Sequence, residues 1–184
     1  MIKVAITGNI GSGKTAVEDI IKSYGFKTLC ADKIVANLYH DEKICAQLKN
    51  TFGTSEKKEI AQIVFNNAEK KLELECIIHP FVKYEIENFF LDNSEEKAIF
   101  VSVPLLFEAG FEHLFDKIIF VTADENVRLE RVMKRDNCNK DYAQKKILAQ
   151  APEKEKIKKS DFIIENNSTF ENLKNQVKTM LQTF

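Results

Sequence analysis

Residues 8–15 have the types and the spacing of a phosphate-binding loop. The segment Gly-Asn-Ile-Gly-Ser-Gly-Lys-Thr fits the pattern G-x-x-x-x-G-K-[ST] in full. Glycines let backbone N–H groups turn towards the phosphates of a nucleotide. Lys14 reaches the oxygens of the β- and γ-phosphates, and the Thr15 hydroxyl can bind Mg²⁺. The alternative is a glycine turn that carries Lys-Thr by chance. The residues predicted to bind nucleotide here are Gly8, Asn9, Ile10, Gly11, Ser12, Gly13, Lys14, Thr15 and Ala16.

The arginines form a second group with chemical potential. The chain has 27 basic residues, yet only three are arginines, Arg128, Arg131 and Arg135. Their spacing places them on one face of a helix. Because a planar guanidinium binds phosphate oxygens in pairs, we predict that Arg131 contacts the nucleotide and that Arg135 neutralises charge on a transferred phosphoryl group. The alternative is that these residues help the helix to pack and pair with Glu130 or Asp124.

Asp32 is the candidate for activating a hydroxyl acceptor. It follows a short predicted strand, residues 26–30, and ligands of open parallel sheets bind beyond the carboxyl ends of the strands. A carboxylate in this position can accept the proton of an attacking hydroxyl or help to hold Mg²⁺. Asp32 could instead cap a predicted helix at residues 33–39, and the two roles are compatible.

The segment at residues 103–108 ends another predicted strand and carries a further carboxylate. Pro104 is expected to end strand pairing and to turn the chain along the floor of a pocket. Glu108 could contact substrate or metal. His79, which precedes Pro80 after an apolar helical run, is by itself more typical of a packing or capping residue than of a chemical one.

These candidate residues need a sheet that brings them together. Apolar runs alternate with helical patterns, which predicts an α/β fold with a parallel sheet covered by helices on both faces, the three-layer P-loop architecture. A capping box at residues 168–171 is expected to open the last helix. The predicted strands are 2–7, 26–30, 98–103, 117–121 and 162–164, and the clearest helices are 15–24, 126–134 and 170–181.

Two stretches depart from this alternation within what we expect to be a single domain, residues 1–184. Residues 32–96 are mostly helical in pattern, which predicts a helical insertion into a core of residues 1–31 and 97–184. Residues 136–160 are polar and rich in lysine. They predict a helical lid at about residues 135–155, although a solvated pair of surface helices is the alternative.

Composition restricts the partners of the chain. With 44% hydrophobic and 30% charged residues it can bury a core, and its net charge of −1 gives no field that would hold nucleic acid or an anionic membrane. Four cysteines without a C-x-x-C pair predict reduced thiols and no zinc site. The first apolar run is too short for a signal sequence or a membrane span, so we expect a cytoplasmic protein. We also expect a monomer or weak oligomer.

Together, the segments resemble the dephospho-CoA kinase family over nearly the whole chain. Residues 5–15 resemble the family's Leu-Thr-Gly-Gly-Ile-Gly-Ser-Gly-Lys-Ser, Ile78-His79-Pro80 resembles its Leu-His-Pro, and residues 103–108, Val-Pro-Leu-Leu-Phe-Glu, resemble its Val-Pro-Leu-Leu-x-Glu. The last two segments are far more specific than the loop. Further residues that fall in family order are Asp32, Arg131, Arg135, Asp136, Gln150 and residues 160–167.

The resemblance implies an enzyme that transfers the γ-phosphoryl group of ATP, with Mg²⁺, to the ribose 3′-hydroxyl of dephospho-CoA, the last step of coenzyme A synthesis. It implies catalytic roles for Lys14, Asp32 and Arg135, with Asp32 activating the hydroxyl. The lid would close over the phosphates and exclude water, which otherwise competes as acceptor. The resemblance also implies that the helical insertion, about residues 32–96, binds the acceptor. The residues implied to bind the acceptor are Asp32, His79, Pro104, Leu105 and Glu108.

Three positions depart from the family pattern. Asn9 replaces the second glycine of the loop, where the residue contributes backbone. Lys57 and Lys146 stand where the family commonly has arginine. Because lysine does not reproduce a bidentate arginine contact, these two departures bear on the acceptor side and leave the ATP site unaffected.

Other functions are compatible with parts of this pattern. A P-loop kinase for a nucleoside monophosphate, shikimate or gluconate would share the loop, the arginines and the lid, but residues 78–80 and 103–108 argue against it. A GTPase would need D-x-x-G and N-K-x-D; no glycine follows an aspartate by three, and residues 139–142 miss the second motif. A non-catalytic nucleotide-binding module would need neither an acceptor pocket nor a lid.

Overall fold

The computed structural model describes residues 1–65, 67–150 and 152–184. Residues 66 and 151, which fall within the predicted insertion and the predicted lid, lie outside the described residues. The chain divides into two compact units, one made of Met1–Leu29 and Asn93–Phe184 and the other of Cys30–Asp92. No helix within the described ranges is long and apolar enough to cross a membrane.

A parallel five-stranded sheet forms the centre of the first unit and confirms the predicted α/β fold. Its strands cross the sheet in the order β2-β3-β1-β4-β5. β1 pairs in parallel with both β3 and β4, and β4 pairs in parallel with β5. The strands are β1 (Ile2–Gly8), β2 (Lys27–Cys30), β3 (Ala98–Ser102), β4 (Lys117–Thr122) and β5 (Phe162–Glu165).

Helices cover the sheet because its strands are apolar on both faces. Every residue of β3 is buried, and so are the last five residues of β1. The helices of this unit are α1 (Lys14–Ser23), α6 (Glu125–Asp136), α7 (Lys140–Leu148), α8 (Glu153–Lys158) and α9 (Phe170–Leu181), and a short 3₁₀ helix spans Glu112–Leu114. α1 and α9 pack their apolar faces against β1, β3 and β4, through Val17, Ile20, Ile21, Leu173, Val177 and Met180.

The second unit is helical. It contains α2 (Ala31–Leu38), α3 (Glu42–Phe52), α4 (Lys57–Phe65) and α5 (Ala68–Asp92). α5 packs against the other three helices and continues through Pro80, although a proline inside a helix removes a hydrogen bond and crowds the preceding turn. The buried side chains between them are aliphatic, including Ile34, Ile44, Leu48 and Ile60.

The structure contradicts the alternative role of Asp32 as a helix cap and the predicted cap at Ser168. α2 begins at Ala31 with Cys30 at the N-cap, so Asp32 lies within the first turn and does not cap the helix. Its negative charge is still favourable there because the first turn carries the positive end of the helix dipole. α9 is capped by Thr169, whose hydroxyl accepts from the Asn172 N–H at 3.3 Å, and not by Ser168.

Candidate active site

The phosphate-binding loop joins β1 to α1 and leaves no room for side chains at two of its glycines. Gly11 has a φ of +79° and Gly13 a φ of +94°, which residues with a Cβ rarely adopt. A Cβ at Gly11 would lie 2.7 Å from the carbonyl oxygen of Arg128, and a Cβ at Gly13 would overlap the side-chain nitrogen of Asn166. The loop therefore needs glycine at both positions, for its own backbone and for its neighbours.

The second half of the loop presents the groups that an anionic nucleotide requires. Lys14 begins α1, and its Nζ lies 2.7 Å from the carbonyl oxygen of Gly8. Thr15 is exposed in the first turn, where the helix dipole favours an anion. Because Mg²⁺ takes oxygen ligands and is commonly held by few protein oxygens together with substrate phosphates, the Thr15 hydroxyl beside this glycine cradle fits that ion.

Arg131 on α6 ties the loop to the end of β5. Its Nη1 donates to the carbonyl oxygens of Gly11 at 3.3 Å and Ser12 at 3.4 Å, and its Nη2 donates to the carbonyl oxygen of Asn166 at 3.0 Å. The Asn166 amide donates in turn to the Ser12 carbonyl at 2.8 Å. The guanidinium of Arg131 therefore lies against the loop that is predicted to bind the nucleotide.

Arg128 occupies a different environment from the other two arginines. It is buried on α6, and its Nη2 lies 3.5 Å from a carboxylate oxygen of Glu153 on α8. Within the described part of the chain its Nε and Nη1 have no hydrogen-bond partner. Glu153 also accepts a short hydrogen bond from the hydroxyl of Thr122, at the end of β4. Arg128 and Glu153 therefore join α6, α8 and the sheet behind the loop.

The predicted lid contains α7 and the start of α8. At its base, Asp136 accepts from Arg135 at 2.7 Å and from Lys146 at 2.8 Å. These hydrogen bonds, that of Arg135 first, hold the pKa of Asp136 well below its ordinary value. The bond to Asp136 raises the pKa of Lys146. Lys146, which stands where the family commonly has arginine, therefore connects α7 to the end of α6 through an ion pair.

Gln150 brings the lid into direct contact with the loop. Its side-chain oxygen accepts from the backbone N–H of Ile10 at 2.6 Å. The predicted catalytic residue Arg135 lies at the opposite end of the lid, where its side chain is 61% exposed and pairs with Asp136.

The segment after β3 follows the sequence prediction in its backbone. β3 ends at Ser102, the Val103 N–H donates to the Ile6 carbonyl at 2.9 Å, and the Pro104 carbonyl accepts from the Thr7 hydroxyl at 3.4 Å. Leu105 is exposed. Pro104 thus lies beside the end of β1, where the loop begins.

Glu108 forms an ion pair that was not predicted from the sequence. One of its carboxylate oxygens accepts from Nζ of Lys156 on α8 at 2.6 Å. The same Nζ donates to the side-chain oxygen of Asn9 in the loop at 3.1 Å. Lys156 is 3% exposed and the Glu108 side chain 23% exposed, so the ion pair is largely shielded from water.

The two remaining candidates belong to the second unit. Asp32 is exposed in the first turn of α2, directly after β2. His79 is half-buried on α5, and this burial lowers its pKa while the charge of Glu75 works in the opposite direction. His79 is therefore mainly neutral near pH 7, and it can serve as a hydrogen-bond donor or acceptor without carrying charge.

Sheet, loop and flanking helices define a P-loop kinase. A shikimate kinase from Acinetobacter baumannii shares the fold, with a TM-score of 0.55 over all of this chain and 92% of that one at 13% identity. The chain belongs to the dephospho-CoA kinase (CoaE) family, whose model matches residues 2–172.

Relatives of the family resemble the chain over nearly its full length. A dephospho-CoA kinase of Fusobacterium nucleatum is 37% identical, covering 98% of this chain and 97% of that protein. A crystal structure of a Thermus thermophilus protein has a TM-score of 0.88 at 31% identity, covering 100% of this chain and 97% of that one. The structure of a Campylobacter jejuni dephospho-CoA kinase has a TM-score of 0.74 at 31% identity, covering 98% and 95%.

Several residues around the loop were not predicted from the sequence. Glu153 and Lys156 lie in a lysine-rich polar stretch in which nothing distinguishes them from solvated neighbours. Asn166 was noted only because its segment falls in family order. Asn9 was a clearer signal. The family pattern has glycine at this position, and a polar side chain that becomes buried there needs a hydrogen-bond partner.

Proposed function

We propose that this chain transfers the γ-phosphoryl group of ATP to the ribose 3′-hydroxyl of dephospho-CoA and releases coenzyme A and ADP. The observation that carries the proposal is the complete phosphate-binding loop, with glycines whose backbone conformation and close neighbours disfavour any side chain, within a chain whose family model matches residues 2–172. The loop supports phosphoryl transfer from a nucleoside triphosphate, and the family supports the acceptor.

On the nucleotide side, the loop binds and orients the phosphates. Backbone N–H groups from Gly11 to Thr15 and the positive end of α1 surround the β-phosphate, and the Lys14 ammonium neutralises charge between the β and γ groups. We propose that the Thr15 hydroxyl holds Mg²⁺, which would supply further positive charge against the phosphates. Arg131 keeps the loop in shape through the Gly11 and Ser12 carbonyls.

The lid excludes water and supplies positive charge. Gln150 fixes the lid to the backbone of Ile10, and the Asp136 carboxylate holds Arg135 and Lys146 at its base. We propose that Arg135 turns from Asp136 towards the transferred phosphoryl group when substrates bind. Removal of water matters because water would otherwise accept the phosphoryl group in place of the hydroxyl.

On the acceptor side, Asp32 is proposed to accept the proton of the attacking 3′-hydroxyl. Its exposed carboxylate lies directly after β2, at the carboxyl ends of the parallel strands, where ligands of such sheets bind. His79, neutral because burial lowers its pKa, is proposed to hydrogen-bond the acceptor. Pro104, Leu105 and Glu108, in the segment that follows β3, are also proposed to contact the acceptor.

The proposal is tested by measuring ADP release with ATP and Mg²⁺ against dephospho-CoA, AMP, CMP, shikimate and gluconate. We expect turnover only with dephospho-CoA, with coenzyme A identified as the product by mass spectrometry. Lys14→Ala serves as the blank for contaminating kinases. Asp32→Asn should lower kcat with dephospho-CoA by about 100-fold or more while KM for ATP changes little, as expected for a general base. Turnover with another acceptor alone would show that the acceptor assignment is wrong.

A further inference from the structure

Lys156 is a buried lysine that none of the proposed roles uses. It lies on α8 with 3% of its side chain exposed. Lysines are almost never buried to this degree unless a partner compensates the charge. Two groups do so here, the Glu108 carboxylate at 2.6 Å and the side-chain oxygen of Asn9 at 3.1 Å.

The contact to Asn9 connects Lys156 with the phosphate-binding loop itself. Asn9 is buried, and its side-chain oxygen is the acceptor, so a glycine at this position could not make the contact. The next residue, Ile10, donates its N–H to Gln150, which lies six positions before Lys156. Two consecutive loop residues, Asn9 and Ile10, are thus hydrogen-bonded to Lys156 and Gln150 respectively.

The contact to Glu108 has an electrostatic consequence. A carboxylate near the phosphate-binding loop repels an anionic triphosphate, and the repulsion is strongest where water is excluded. Lys156 cancels this charge and makes the Glu108 side chain a neutral part of the surroundings of the loop. Removing one partner of a shielded ion pair leaves the other charge uncompensated, which costs far more than the pair contributes as a unit.

We infer that Lys156 is a positioning residue for ATP binding, which fixes the loop through Asn9 and cancels the charge of Glu108. The inference rests on the proposed binding of ATP by the loop and is independent of the acceptor. It assigns Lys156 no contact with substrate. Its effect is expected in the affinity for ATP and in KM for ATP, more than in kcat.

The test is calorimetric titration of ATP with Mg²⁺ in the absence of any acceptor. Lys156→Met should weaken ATP binding by about 10- to 100-fold. Lys158→Met is the matched control, because Lys158 lies on the same helix with 71% of its side chain exposed and pairs with Glu155. We expect the control to bind ATP within about twofold of the wild type, as is usual for an exposed pair. An unchanged affinity in Lys156→Met would overturn the inference.

Second variants separate charge compensation from a merely structural role. Adding Glu108→Gln to Lys156→Met should restore most of the lost affinity, since the uncompensated carboxylate is gone. Asn9→Gly should weaken ATP binding in the wild type but add little in the Lys156→Met background, because the two side chains act through one contact. No restoration by Glu108→Gln, or fully additive effects of Asn9→Gly, would contradict the proposed mechanism.

A further variant covers the case in which Lys156→Met does not fold. Glu108→Gln alone keeps a hydrogen-bond acceptor for Lys156 and leaves its positive charge uncompensated beside the loop. We expect it to bind ATP more tightly than the wild type, and weaker binding would refute the electrostatic part. Failure of the wild type itself to bind ATP would instead refute the proposed function.

Discussion

Gly13→Ala tests the structure at the point where three parts of the site meet. Gly13 is the N-cap of α1 with a φ of +94°, and a Cβ added there would overlap the side-chain nitrogen of Asn166. That nitrogen donates to the Ser12 carbonyl at 2.8 Å, and the Asn166 carbonyl accepts from Arg131 at 3.0 Å. One methyl group therefore displaces Asn166 and, through it, Arg131.

The expected loss of stability has two parts. An alanine in the left-handed conformation costs about 1–2 kcal/mol relative to glycine. Displacing the buried Asn166 amide breaks its hydrogen bond to Ser12 and leaves polar groups unpaired, which costs about 1–3 kcal/mol more. We therefore expect Gly13→Ala to lower the free energy of unfolding by about 2–5 kcal/mol, and the affinity for ATP to fall with it.

Gly25→Ala measures the cost of the left-handed conformation alone. Gly25 has a nearly identical φ of +89°, but a Cβ there would have no atom within 4 Å. Any gain from a stiffer unfolded chain is the same for both variants and cancels in the comparison. Equilibrium urea unfolding should show Gly13→Ala to be less stable than Gly25→Ala by about 1–3 kcal/mol. Equal stabilities would refute the contact between Gly13 and Asn166.

Two further outcomes follow from the arginines and the lid. Arg131→Lys should raise KM for ATP by about tenfold or more in steady-state assays, because a single ammonium nitrogen does not reproduce the planar fork whose two nitrogens reach three carbonyls. Lys134→Arg, at an exposed position of the same helix, should leave KM for ATP unchanged. Asp136→Asn should destabilise the protein at pH 7 by about 1 kcal/mol. Because the pKa of Asp136 is depressed, its contribution is present above its ordinary pKa and vanishes as pH falls through the depressed value. Urea unfolding should show a constant difference above about pH 5 that shrinks in acid; a difference that does not shrink would contradict the ion pairs.

The sheet was largely predictable from the sequence because its strands are continuous apolar runs. The run at residues 98–103 became β3, and the helix at residues 170–181 was placed correctly to the residue. The order of the strands was not predictable, since it depends on pairings between residues about a hundred positions apart. The caps were less predictable: α9 begins where predicted but is capped by Thr169 and not by Ser168, and α2 begins before Asp32, after Cys30, which makes no side-chain cap.

The surroundings of the loop were predictable only in part. The loop itself was predictable, because the spacing of its glycines, lysine and threonine matches a local sequence motif. Lys156 and Asn166 reach the loop from positions 147 and 154 residues away from their partners. No local pattern marks such residues, because their roles arise from the closure of the fold and not from their neighbours in sequence.

The position of β1 in the sheet has a consequence for the newly made chain. β1 becomes a central strand, yet its partners β3 and β4 begin at Ala98 and Lys117. At a synthesis rate of about 5–20 residues per second, an apolar strand waits about 5–20 s before either neighbour exists. Meanwhile α2 to α5 find packing partners among themselves. The segment of the nascent chain that most needs protection from aggregation is therefore the one that leads into the nucleotide site.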